Sequence, residues 1–257
     1  MLDNQLIVIT GASSGIGAEM ARQLSGLGAY VILAARSLDK LEELGRQLPG
    51  PSGVVELDVS SDDSVRRAFE HILQTYGRVD CLINNAGFGK FELLEDTSMD
   101  EFESMMNVNC MGAVRCTRAV VPLMKSAGSG QIVNIASIAG KLGTARSTAY
   151  TASKHAMLGF TNALRQELRG TGIIVSAVNP GPIDTPFFDL ADPSGSYVSN
   201  VRWFMMKPEK VAQTVVKVIQ HKKEEVDLPF TAAFGMRLYG LLPRFIDKIS
   251  HRWLNQK

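Results

Sequence analysis

Short apolar, β-branched runs alternate along the chain with longer stretches whose apolar residues recur at helical spacing. The runs are Leu6–Thr10, Tyr30–Ala34, Val54–Leu57, Val79–Asn84, Gln131–Ala136, Ile173–Val178 and Val226–Phe230. Between them, Gly17–Gly28, Leu38–Leu48 and Thr148–Phe160 read as helices. In the second of these Leu38, Leu41, Leu44 and Leu48 predict one buried stripe. Ser60-Ser61-Asp62-Asp63 precedes Val65–Tyr76 as an N-cap cluster, because short polar side chains accept from the free N–H groups of a first turn. Strand and helix in strict alternation imply right-handed crossovers. The expected fold is α/β: a doubly wound parallel sheet of about seven strands, apolar on both sides, with helices on both faces. No repeat or linker interrupts the pattern, so residues 1–230 are expected to form one domain. Two segments stand outside it. Residues 183–206 mix Pro, Asp and Gly with aromatics and predict a long functional loop, and residues 231–257 form a tail.

Composition narrows the choice of function. A chain of 257 residues can bury one substantial core, and 45% hydrophobic with 21% charged residues is the balance of a soluble globular protein. A formal net charge of +1 lacks the basic excess that nucleic-acid binding needs, so no nucleic-acid partner is expected. Cys81, Cys110 and Cys116 form no C-x-x-C pair and read as small apolar fillers in a reducing compartment. His71, His155, His221 and His251 have no ligand spacing, so no metal site is expected. The first strand begins almost at Met1, no apolar run approaches the ~20 residues of a membrane span, and Asn255-Gln256-Lys257 is no sorting tag. The cytoplasm is the expected location.

The stretch Ile9 to Gly17, ITGASSGIG, permits two chemistries. Gly11-Ala12-Ser13-Ser14-Gly15 spells G-x-S-x-G, the turn that presents a nucleophilic serine in hydrolases. That turn needs strands and an oxyanion loop upstream, and only nine residues precede Thr10. The other reading fits: a first strand running into a glycine-rich turn whose helix N-terminus directs free N–H groups at a pyrophosphate. The glycines stand at spacings of four and two, Gly11, Gly15 and Gly17, unlike the standard G-x-G-x-x-G.

Thr-Gly-x-x-x-Gly-x-Gly, from Thr10 to Gly17, resembles the turn of the classical short-chain dehydrogenase/reductase family, and further motifs follow in the family's order. Asn84-Asn85-Ala86-Gly87 follows the fourth strand. Asn109, Ser137, Tyr150 and Lys154 have the order and spacing of the family's tetrad, and Pro180-Gly181 follows the sixth strand. The resemblance covers residues 5–230 and implies a single-domain Rossmann-like fold that binds a nicotinamide dinucleotide. It also implies a homodimer or homotetramer, assembled through the helices around 100–126 and 150–168.

The residues suit hydride chemistry. A free tyrosine, with a pKa near 10, is a poor acid–base group at neutral pH, and an adjacent cation would make it more acidic. Tyr150 and Lys154 are four apart and so share one helix face; of the five tyrosines only Tyr150 has a lysine at that distance. Ala149, Ala152, Ser153, Ala156 and Gly159 allow that helix to lie close to a ligand. Ser137 closes the fifth strand at the sheet edge where ligands bind, able to donate to a carbonyl oxygen near Tyr150. By resemblance, Asn109 would hold a water linking Lys154 to solvent, and Lys154 would bond the nicotinamide ribose.

On the cofactor side the expected contacts are Gly11, Ser13, Ser14, Gly15, Ile16 and Gly17 in the turn. Asp58 and Val59 would lie near the adenine, with Asn85, Ala86 and Gly87 beside the adenosine. Pro180, Gly181, Ile183 and Thr185 would lie at the carboxamide. After the second strand stands Ala34-Ala35-Arg36-Ser37, with no carboxylate before Asp39. Arg36 can pair with a 2′-phosphate, helped by Ser37, which predicts NADP(H) in preference to NAD(H).

Residues 183–206 are read as a substrate lid. Phe187, Phe188, Leu190, Tyr197, Trp203, Phe204, Met205 and Met206 predict an apolar pocket for a ketone, aldehyde or secondary alcohol. In the tail, Phe245, Ile249 and Trp253 alternate with charged residues as a basic amphipathic helix suited to packing or oligomerisation. Two rivals stand beside the oxidoreductase. A non-catalytic NAD(P)-binding regulatory or scaffold protein need not keep Ser137, Tyr150 and Lys154 together. A sugar-nucleotide epimerase or dehydratase would need a different glycine spacing and a longer C-terminal substrate domain.

Overall fold

The computed structural model describes residues 2–230, so the predicted tail stripe of Phe245, Ile249 and Trp253 lies outside the described residues. Seven strands form one sheet in the order β3-β2-β1-β4-β5-β6-β7. They are β1 Leu6–Thr10, β2 Tyr30–Ala35, β3 Ser52–Glu56, β4 Cys81–Asn84, β5 Gly130–Ile135, β6 Ile173–Pro180 and β7 Glu225–Leu228. Every neighbouring pair runs parallel. This is the Rossmann-like doubly wound sheet expected from the alternation.

The helices are α1 Gly15–Gly26, α2 Leu38–Gln47, α3 Asp62–Tyr76, α4 Met99–Met106, α5 Gly112–Ala127, α6 Thr148–Glu167, α7 Phe187–Ala191, α8 Ser196–Val201 and α9 Pro208–His221. Side chains alternate across a strand, and the core divides accordingly. Ile7, Ile9, Val31, Leu33, Ile83 and Val133 face α1, α2 and α9 through Met20, Leu24, Leu41 and Val215. Leu6, Val8, Ile32, Leu82, Ile132 and Val175 face α3, α5 and α6 through Phe69, Ile72, Val120 and Leu164. Cys81, Cys110 and Cys116 are free and buried, the fillers their spacing suggested.

Two local readings are corrected. Leu38 is 38% exposed, while Leu41 and Leu44 are buried and Leu48 is partly buried. At about 100° per residue Leu38 lies about 60° from Leu41 and about 120° from Leu44, so it falls off the stripe. Residues 183–206 form an organised flap rather than a long loop. It carries α7, α8 and a short 3₁₀ turn at Arg202–Phe204. Its ends are pinned together, Asp184 N–H donating to the Met206 carbonyl at 2.9 Å and Met206 N–H to the Pro182 carbonyl at 2.9 Å. The N-cap cluster behaves as read: α3 starts at Asp62, and the Ser61 hydroxyl accepts from Ser64 N–H. Among the described residues no helix is long and apolar enough to cross a membrane.

Candidate active site

Chain order reverses on either side of β1, whose neighbours are β2 and β4, and a crevice opens at the carboxyl ends of the strands there. Its volume is about 760 Å³. Every residue read from the sequence as cofactor-binding borders it, as do Ser137, Tyr150 and Lys154.

The floor is a stitched crossing of two turns. Thr10 Oγ1 accepts from the N–H groups of Asn85 and Ala86 at 3.0 and 3.1 Å, and Asn85 Nδ2 donates to the carbonyls of Thr10 and Gly11 at 3.0 and 3.1 Å. The approach is so close that a Cβ on Gly11 would lie 2.8 Å from Ala86 Cα, and one on Gly17 2.3 Å from the Gly11 carbonyl oxygen. Gly11 and Gly15 have φ of +65° and +55°, which glycine adopts without strain. Ser14, the N-cap of α1, makes no side-chain cap bond, and the first turn carries no acid. The positive end of α1 thus opens onto the crevice ready for an anion, which is what a dinucleotide pyrophosphate requires.

At one end of the crevice Arg36 and Ser37 are exposed after β2. Asp58 accepts from Ser60 N–H at 2.9 Å and Ser60 Oγ at 2.6 Å. Those bonds hold its carboxyl below the ordinary range against the opposing effect of burial, with Arg36 adding a further pull. Around the other end, Ser137 caps a 3₁₀ turn, Ile138–Gly140, after β5; its Oγ accepts from Ala139 N–H at 3.1 Å and donates to the Pro180 carbonyl at 3.3 Å. Tyr150 and Lys154 project from the first turns of α6, as their spacing predicted. Lys154 is buried, Nζ donating to the Ile135 carbonyl at 3.0 Å and lying 5.8 Å from the centre of the Tyr150 ring.

The electrostatics correct one expectation. Without ligand the tyrosine is not made acidic by the lysine. Burial pushes the Tyr150 phenol up to about 12, only partly offset by a hydrogen bond with Ser137. Burial likewise pushes the Lys154 ammonium down to about 8. Low dielectric penalises both charged forms, and that penalty outweighs the attraction the spacing promised. The lysine shift has a consequence for stability. Between pH 8 and 10.5 the unfolded chain holds a proton on this lysine that the folded chain has released, so stability rises with pH across that window. Buried thiols and phenols with raised values oppose the trend above their own ordinary pKa, so the comparison needs a variant. In urea titrations, the unfolding free energy of the parent relative to Lys154→Met should increase by on the order of 3 kcal/mol from pH 7 to 10.5. A difference that stays flat or falls would show an unperturbed lysine.

Asn109 does not line the cleft but stands directly behind Gly87, where a Cβ would lie 3.0 Å from Asn109 Oδ1 and 3.7 Å from Lys154 Nζ. It lies in a π turn, Asn107–Met111, between α4 and α5, and is fully buried. Its Oδ1 accepts from Phe88 N–H at 2.9 Å, and its Nδ2 donates to the Phe88 carbonyl at 2.8 Å and to Ser153 Oγ at 3.0 Å. With its side chain committed to the wall, Asn109 braces the Phe88 loop against α6.

Beyond Tyr150 the cleft is aromatic. Phe187 lies 5.7 Å and Phe91 5.9 Å from Tyr150, ring centre to ring centre, and Phe91 lies 4.9 Å from Tyr197. Of the eight lid residues named from the sequence, Phe187, Phe188, Leu190 and Tyr197 line the cleft, whereas Trp203, Phe204, Met205 and Met206 do not. Trp203 is 81% exposed, and Met206 is buried in the pin that closes the flap. Sequence reasoning missed Phe88 and Phe91, which sit in an aperiodic loop after Gly87. Phe91 N–H donates to the Ala191 carbonyl at 2.8 Å, joining that loop to the flap.

Turn, crevice and the Ser–Tyr–Lys group define a nucleotide-binding oxidoreductase. Residues 5–193 match the family described as short chain dehydrogenase, and the chain belongs to it. A human relative, dehydrogenase/reductase SDR family member 7, is 40% identical over 72% of this chain, and the match spans 57% of the relative's length. The mouse protein dehydrogenase/reductase SDR family member 7B is 36% identical over 96% of this chain and 80% of its own. Among solved structures, an alcohol dehydrogenase from Thermococcus sibiricus, complexed with 5-hydroxy-NADP, superposes with a TM-score of 0.78. It is 29% identical, covering 88% of this chain and 96% of that one. Other solved relatives are described in complex with NADP or with NAD.

Proposed function

We propose that the protein is an NADPH-dependent oxidoreductase acting on the carbonyl or secondary alcohol of an uncharged, apolar substrate. One observation carries the reading: Ser137, from the turn after β5, meets Tyr150 and Lys154, from α6, on one cleft whose outer part is lined by aromatic rings. The glycine turn and the N-terminus of α1 would hold the pyrophosphate, Arg36 and Ser37 the 2′-phosphate, and Lys154 the nicotinamide ribose. When bound, the nicotinamide supplies or takes up the hydride. Tyr150 holds a proton for the carbonyl oxygen, and Ser137 donates to the same oxygen and fixes its place. A phenol raised to about 12 keeps its proton at neutral pH, which suits the reducing direction. The non-catalytic alternative gives no reason for these three side chains to meet on the cleft.

Among the described residues, the charged ones lining the cleft are Arg36, Asp58 and Lys154. The first two stand where the adenosine would lie and the third donates to a backbone carbonyl, so no charged side chain among the described residues lines the flap end of the cleft, which favours an uncharged substrate. A panel of aryl and alkyl ketones, aldehydes and keto acids, followed by NADPH absorbance, tests this. Turnover is expected with the uncharged apolar members, and turnover confined to small keto acids would overturn it.

A further inference from the structure

Behind Ser137 lies a cluster of charged side chains outside the cleft lining. Lys141 immediately follows the 3₁₀ turn that Ser137 caps, its N–H donating to the Ile138 carbonyl at 2.9 Å. Its Nζ reaches across to β7, donating to Asp227 Oδ1 and Oδ2 at 2.6 and 2.8 Å and pairing with Glu225 Oε1. Asn179, on β6 and fully buried, donates through Nδ2 to the same two acids, at 2.7 Å to Asp227 Oδ1 and 3.1 Å to Glu225 Oε1. Two carboxylates leave the amide one orientation, and it is adopted although Asn179 Oδ1 is left buried without a partner.

Such a cluster is poor evidence of added stability, because desolvation offsets attraction. What it does supply is fixed geometry, and the part fixed is the Ser137 turn. On its other side the turn is held against α6, where a Cβ on Gly140 would lie 2.7 Å from the Lys154 carbonyl oxygen and 2.8 Å from Leu158 Cδ1. Asn179 directly precedes Pro180, whose carbonyl accepts from the Ser137 hydroxyl. The cluster therefore ties together the residue that carries the hydroxyl and the strand end that receives it.

We propose that Lys141, anchored by Asp227, Glu225 and Asn179, is a positioning residue that sets the Ser137 hydroxyl against Tyr150. This rests on the reading of Ser137 and Tyr150 as the reacting pair. The effect of Lys141 on turnover then passes through Ser137 alone.

A double-variant cycle tests it, with the most rapidly reduced ketone of the panel and NADPH. Ser137→Ala is expected to lower kcat by about 10²-fold and Lys141→Met by about tenfold, whereas Lys141→Met added to Ser137→Ala should change nothing beyond about twofold. The dissociation constant for NADPH, read by fluorescence quenching, should stay within about twofold in each. A readout independent of turnover is the ring ¹³Cζ resonance of Tyr150 in the cofactor-free protein, identified by its loss in Tyr150→Phe. Both single variants should move it in one direction, and the double variant no further than Ser137→Ala. Losses that multiply, or a resonance that Lys141→Met leaves in place, would overturn the proposal alone. A Ser137→Ala protein with parental turnover would instead remove the underlying reading, and the proposal with it. Should Lys141→Met fail to fold, Asp227→Asn loosens the same anchor while keeping its shape, and the same outcomes apply.

Discussion

Tyr150→Phe is expected to lower turnover by about 10³-fold while NADPH binds with nearly parental affinity. The substitution removes one oxygen and keeps the ring that Phe187 and Phe91 pack against, at 5.7 and 5.9 Å between ring centres. The phenol is neutral at neutral pH, so the substitution costs only its hydrogen bond with Ser137, and the thermal midpoint should change little. A Ser137→Ala protein keeps the proton donor and loses orientation, so its loss should be smaller. Steady-state rates together with fluorescence quenching by NADPH separate the two effects. If Tyr150→Phe retained turnover within tenfold of the parent, another group would have to deliver the proton, and the proposed mechanism would fail.

How much of this could be read beforehand differs from level to level. The sheet was legible because a strand buried on both faces must be apolar throughout, and the apolar runs contain all seven strands to within a few residues. Tyr150 and Lys154 were legible because helical spacing alone puts them on one face. The side-chain bonds of Asn109 to Phe88 and Ser153 leave no trace in one dimension, since they depend on the π turn and the Phe88 loop meeting α6. The state of the phenol was misread, since spacing reveals the neighbouring ammonium and not the depth at which both groups sit. Phe91 escaped notice because it lies in a loop without periodicity and acts through contacts with Tyr150 and Tyr197, far away in the chain. The Lys141 cluster escaped for the same reason: its members come from the turn after β5, from β6 and from β7, and only the strand register brings Asn179 opposite Asp227.

Arg36→Asp is expected to change the ratio of kcat/KM for NADPH over NADH by on the order of 10²-fold in favour of NADH. The argument turns on how few charges line the cleft. Ser13 and Ser14 bring none to the glycine turn, and Lys154 is engaged with the Ile135 carbonyl, so among the described residues Arg36 is the cation left to meet a 2′-phosphate. Reversing its sign removes a charge-assisted contact and sets a carboxylate against the phosphate. It also deprives Asp58 of the guanidinium that helps hold its pKa down, adding a second acid to the same corner. With NADH the new carboxylate can accept from a ribose hydroxyl, so that arm should gain while the other falls. Arg36→Ala separates the parts: it should lose NADPH preference without gaining NADH turnover. If both variants kept the parental cofactor ratio, the phosphate would have to be recognised elsewhere, and the assignment of Arg36 would be wrong.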